Sequence, residues 1–198
     1  MLSKPNGTIT ILTFLVFFLS VCTYSVGQGW QADSETASGG ITIQNSYPRG
    51  GSRYTDSGGK DFVYAIFWTR VVNETATPLE LTINFPADSV VITSSYNYFK
   101  LFLPPDTMTL GSQSVYDYGL DLKSFLDTGF HKPTMLQRTI NPKDESVFYV
   151  ALLTYRPYNG AVRAGFILKE QNLFYRVNMI DPALIPCGKI VFKKSGTK

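Results

Sequence analysis

The stretch FWTRVVNETATPLELTINFP, residues 67–86, places alternating apolar and polar residues on both sides of the polar connection NETATP. In PLELTINFP, Leu79, Leu81, Ile83 and Phe85 fall on one face and Glu80, Thr82 and Asn84 on the other, the pattern of a half-exposed antiparallel strand. The preceding run, DFVYAIFWTRVV from Asp61 to Val72, is apolar on both faces. It reads as a central strand covered on its second side as well. Pro78 can begin the second strand but cannot sit inside it. Together the two runs predict a β-hairpin whose turn is NETATP.

The rest of the chain carries the same signal at similar spacing. ITIQNSYP (41–48), NYFKLFLP (97–104), SVFYVALLTY (146–155), AVRAGFILK (161–169), LFYRVNMI (173–180) and GKIVFKK (188–194) read as strands, with ADSVVITS (87–94) as a short one. NPKD (141–144) and RPYNG (156–160) read as turns, and the last strands as a meander. Arg49–Asp61, with Gly50, Gly51, Gly58 and Gly59, reads as a loop, and Gln28–Gly40 as a flexible leader. One short helix is expected before Gly129, on Leu120, Leu122, Phe125 and Leu126. The expected fold is all-β: an antiparallel two-sheet β-sandwich with at most one short helix, forming a single domain over residues 41–198. The run NETATP-PLEL followed later by NPKDESVFYV is similar in style to immunoglobulin-like or fibronectin-like sandwiches of exported bacterial proteins. That resemblance implies a fold and assigns no residue roles.

Composition agrees. Of 198 residues, 44% are apolar and 17% charged, and 12 Tyr and 14 Phe favour strands over helices. The formal charge of +3 is spread along the chain rather than gathered into a basic face, which excludes nucleic acid as the expected partner. Lys4, the uncharged run Ile9–Val21 and the small residues Ser25 and Gly27 match a signal peptide over 1–27. The expected location is therefore secreted or periplasmic. Leu19-Ser20-Val21-Cys22 offers a weaker alternative, a lipidated Cys22 anchoring the chain in the outer membrane. Membrane contact is expected only through that lipid or through an uncleaved signal.

Chemistry is sparse. Beyond residue 27 there is one cysteine, Cys187, and one histidine, His131, so a zinc site or a Cys-His nucleophile has no basis in spacing. There is no phosphate-cradling GxxxxGK[ST] and no GxSxG elbow. A hydrolase would have to pair two carboxylates across strands. No cofactor is expected. The loop DSGGKD sets Asp56 and Asp61 close enough in sequence to make a weak calcium candidate. Arg49, Arg53, Tyr54, Tyr96, Tyr98, Tyr116, Tyr118 and Tyr158 make up a candidate recognition surface, since Tyr and Arg are favoured where proteins contact partners. The expected role is non-enzymatic, through contacts with another envelope protein or a glycan. A small-ligand or carbohydrate module is the alternative. Asn73-Glu74-Thr75 also spells an N-glycosylation acceptor, relevant only in a host that reads it.

Overall fold

The computed structural model describes residues 29–88, 90–92, 97–157, 159–180 and 184–193. The expected signal segment, Cys22, Tyr96 and Tyr158 lie outside the described residues. The fold is the expected antiparallel two-sheet sandwich, of immunoglobulin-like or fibronectin-like style. Its strands are β1 Ala32–Ser38, β2 Ile41–Ser46, β3 Arg49–Thr55, β4 Asp61–Asn73, β5 Leu79–Phe85, β6 Val90–Ile92, β7 Asn97–Phe102, β8 Thr134–Ile140, β9 Glu145–Thr154, β10 Ala164–Lys169, β11 Asn172–Val177 and β12 Leu184–Phe192. A seven-stranded sheet runs β1-β2-β4-β9-β7-β6, with β3 also paired to β4; a five-stranded sheet runs β10-β11-β12-β5-β8.

The quoted stretch is corrected in one respect. Its two strands form as expected, but β4 pairs with β2, β3 and β9, whereas β5 pairs with β12 and β8. NETATP therefore carries the chain from one sheet to the other, as an arch rather than a hairpin turn. β9 and β10 likewise lie in different sheets, so the expected meander is confined to β10, β11 and β12. Alternation reports which side chains are buried, and a strand buries the same face whether its successor lies beside it or opposite.

Three further stretches differ from expectation. Arg49–Thr55 is a strand with a bulge: pairing with β4 slips between Gly50 and Arg53, and Gly50, at φ 118°, presses against the Tyr64 carbonyl where any Cβ would stand 2.9 Å away. Glycine permits that close approach, so the glycine-rich composition marks a bulge here, not a loop. Ala32–Ser38 and Thr134–Ile140 are also strands, at opposite edges of the two sheets. Their side chains are mostly exposed, so no alternation announces them; backbone pairing to β2 and β5 holds them.

β4 has a core on each side. Between the sheets, Phe67 and Val71 pack with Leu81, Ile83, Val150, Phe166, Tyr175 and Ile190. On the outer face, Phe62, Ile66 and Trp68 pack with Phe102, Tyr149, Leu122, Leu126 and Phe130. The last three come from the excursion between β7 and β8, which contains 3₁₀ turns at Leu110–Ser114 and Tyr116–Gly119 and helix α1 at Leu122–Gly129. Asp121 caps α1, its carboxylate accepting from the Ser124 amide and hydroxyl. Trp30 lies 4.9 Å from Trp68, ring centre to ring centre, and draws the start of the described chain onto this outer core.

Two buried asparagines hold the sheets in place. Asn45, on β2, faces edge strand β10: its Oδ1 accepts from the Phe166 amide at 2.9 Å and its Nδ2 donates to the Phe166 carbonyl at 3.2 Å. A side-chain amide thus stands in for a missing strand, and Gly165 leaves it the room. Asn73 ends β4 fully buried, its Nδ2 donating to the carbonyls of Thr77, Ile140 and Asn141 at 2.9, 3.0 and 3.1 Å. Its Oδ1 accepts from the Thr75 amide and hydroxyl. One side chain therefore ties the β4–β5 arch to the β8–β9 connection.

Candidate functional site

Polar and aromatic side chains gather at two places on the outer side of the seven-stranded sheet. The first is a ledge made by the two 3₁₀ turns against β3. Asp117, Tyr118 and Gly119 have φ of 50, 54 and 75°, three successive left-handed residues of which only the last is glycine. Non-glycine residues in that region cost about 1–3 kcal/mol each and persist where surrounding contacts over-determine them. The contacts are present. The Tyr118 hydroxyl donates to the Tyr47 carbonyl at 2.7 Å, and the Tyr149 hydroxyl to the Tyr118 carbonyl at 2.8 Å. Tyr64 donates to Asp117 Oδ2 at 2.7 Å. Burial first, and then this bond to a carboxylate, push the Tyr64 phenol up to about 12. Arg49 lies 5.1 Å over the Tyr118 ring and donates to the Gln113 carbonyl at 3.0 Å.

The strained turn leaves Val115 and Tyr116 on its rim. Tyr116 is 67% exposed, although its hydroxyl is hydrogen-bonded to Ser52, and Leu110, Val115 and Tyr47 are exposed as well. Of the candidate recognition residues, Arg49, Tyr116 and Tyr118 thus come together. Tyr118 contributes as a buried support rather than as surface. Tyr54 is likewise buried, stacked 5.9 Å from Phe130 in the outer core, while Arg53 is exposed on β3.

Tyr98 belongs to the second place, around the turn between β3 and β4. Lys60 projects from that turn, its ammonium 4.0 Å from the Tyr155 ring centre and 4.8 Å from that of Tyr98, the two rings being stacked at 5.3 Å. A hydrogen bond to Tyr98 raises the Lys60 pKa. Asp56 Oδ1 accepts from the amides of Gly58 and Lys60, both at 2.9 Å, and so shapes the turn, while Asp61 Oδ1 accepts from Thr55 at 2.6 Å. These bonds are the structural work of the two calcium-candidate carboxylates. Among the described residues no group of three or more His, Cys, Asp and Glu side chains converges.

Below this turn Lys100 lies on β7 with Phe130 above it, in a pocket of about 380 Å³ that Lys60, Tyr98, Asp56, Phe62 and His131 also line. Of the residues that line it, Lys60, Lys100 and His131 are not among the recognition residues expected from sequence. One signal was available: Lys100 stands between Phe99 and Leu101 in an otherwise apolar strand.

The features weighed for catalysis lie elsewhere. Cys187 is buried beside Leu173 between the sheets, and burial pushes its thiol up to about 12. Its expected behaviour is that of a small hydrophobe: a thiol reagent such as dithionitrobenzoate should label it at the rate of global unfolding, and fast labelling of the native protein would overturn that assignment. His131 is exposed beyond α1. Glu80 and Asp121 are shifted downward, by the bonds from Lys193 and Ser124 respectively, the reverse of what a general acid requires. Asn73, the glycosylation acceptor by sequence, has its side-chain nitrogen committed to three backbone carbonyls and out of solvent.

The site and fold define an antiparallel β-sandwich domain with an aromatic outer face. No protein-family model, curated protein or solved structure matches the chain. Among the described residues no helix is long and apolar enough to cross a membrane.

Proposed function

We propose that this is an exported, envelope-associated protein that acts without catalysis, by contacts with another envelope protein through the Val115–Tyr116 ledge. One observation carries this reading: a strained backbone, locked from behind by three tyrosine hydroxyls, holds two apolar side chains out into solvent. Strain of this kind is retained where it positions something, and tyrosine is among the residues enriched at the anchors of interfaces. Export is supported by Lys4 and the apolar run Ile9–Val21.

Photo-crosslinking in the source cell tests the contact. A photoreactive residue at position 116 is expected to trap one discrete envelope protein, and the same residue at exposed Met135, on the far sheet, to trap none. The absence of an adduct at 116, or the same adduct from both positions, would sink the proposal. The mass of the mature protein checks export in the same preparation: a chain beginning at Gln28 is expected, and one beginning at a lipidated Cys22 would replace secretion with an outer-membrane anchor.

A further inference from the structure

We propose that the pocket between β7, the β3–β4 turn and the end of α1 binds a small organic carboxylate carried on a flat ring. The argument starts from Lys100. It is 6% exposed, and its ammonium donates to the Phe130 carbonyl at 2.7 Å. An ammonium has three N–H donors, and this is the one hydrogen bond that the Lys100 ammonium makes among the described residues; the Phe130 and Phe102 ring centres lie 4.4 and 5.6 Å from it. No carboxylate forms a salt bridge with it there. Asp88 contributes attraction at longer range, and Asp56, the acidic side chain that lines the pocket, spends Oδ1 on the turn. Burying a cation with two donors unmet is expensive unless something completes its shell.

The surroundings indicate what that is. Lys60 and His131 line the same pocket, so further donors approach from the rim. Phe62 and Phe130, with ring centres 4.9 Å apart, and Tyr98 supply flat apolar walls. The volume of about 380 Å³ lies in the range of small-molecule sites and suits a single ring with its substituent. A single negative charge fits better than a phosphate dianion, because one of the two lysines sits in a dry position where excess charge is costly. The simpler role of Lys100, capping the C-terminal end of α1 through the Phe130 carbonyl and lying 4.4 Å over the Phe130 ring, uses one N–H donor.

Burial lowers the Lys100 pKa, so a paired carboxylate should raise it again and binding should weaken as pH climbs through the free protein's Lys100 pKa, below the ordinary value of 10.5. The probe is benzoate, followed by NMR of the full chain, with benzamide as the neutral control of the same shape. Benzoate is expected to shift the His131 and Tyr98 resonances saturably and benzamide to leave them unmoved. Lys100→Met should weaken benzoate at least about tenfold, since a charged hydrogen bond in a buried site is worth roughly 1.5–3 kcal/mol. Lys60→Met combined with His131→Ala, which leaves the helix cap in place, should weaken it several-fold. Equal binding of benzamide, no saturable shift with benzoate, or unchanged affinity in the rim variant would overturn the proposal. With the photoreactive residue moved to the neighbouring exposed Val115, Tyr116→Ala serves as the independent control, expected to abolish crosslinking on the ledge while benzoate binds as before.

Discussion

Replacing Asn73 with alanine is expected to destabilise the domain by about 3–4 kcal/mol, among the larger effects of a single polar substitution. The substitution takes the Asn73 Nδ2 donor from the carbonyls of Thr77, Ile140 and Asn141 together, although the Thr77 carbonyl keeps the Thr75 hydroxyl and the Asn141 carbonyl the Asp144 amide. It also frees the Thr75 amide and hydroxyl from Oδ1. The backbone bonds of the same residue, to Asp144 and Lys143, would remain, so the loss falls on the arch rather than on strand pairing. Asn73→Asp should cost still more, since it sets a carboxylate where three carbonyls need a donor. Urea titration measures both, with Glu74→Ala, exposed on the same connection, expected to stay within about 0.5 kcal/mol of the parent. If Asn73→Ala also stays within that margin, the staple is ornamental and the arch is held by its backbone.

Gly188→Ala is the second large effect, of about 4 kcal/mol or a failure to fold. A methyl group at 188 would stand 2.1 Å from the backbone oxygen of Thr82 and 3.0 Å from the Ile83 Cα, and a backbone atom cannot rotate aside as a side chain can. β12 would have to draw away from β5 at the point where its pairing with β11 already slips, around Leu173 and Phe174. Amide exchange should locate the damage: protection lost along β5 and β12, retained along β4 and β9. Gly39→Ala is the contrasting case, with no atom within 4 Å of the new methyl group and only a φ of 58° to bear. Similar losses from both substitutions would show that backbone freedom, rather than space, is what the glycines supply.

The sandwich itself was legible in the sequence wherever one face of a strand meets a core. Leu79, Leu81, Ile83 and Phe85 are buried as their alternation requires, and β4 is covered on both faces, as its double apolar pattern demands. β1 and β8 escaped because an exposed edge strand has no buried face to write into its sequence. Sheet membership escaped for a different reason: NETATP and RPYNG carry every mark of a turn, and a turn between strands looks the same whether it stays in one layer or crosses to the other. The ledge was half legible. Arg49, Tyr116 and Tyr118 stood out by residue type, but the left-handed run that sets their positions rests on hydrogen bonds from Tyr64 and Tyr149, far away in the chain. Lys100 is a single charge in an apolar strand, and such a residue declares itself only when the groups around its ammonium are seen.

The arches bear on how the chain reaches this state. Between β4 and β10 the chain changes sheet at β4–β5, β5–β6, β7–β8, β8–β9 and β9–β10, so neither sheet is complete until segments far apart in sequence have met. Loop closure must precede each of those pairings, which places folding in the range of about milliseconds to seconds typical of such topologies. A late-folding chain remains threadable for longer after synthesis, a kinetic property that would suit the export proposed above.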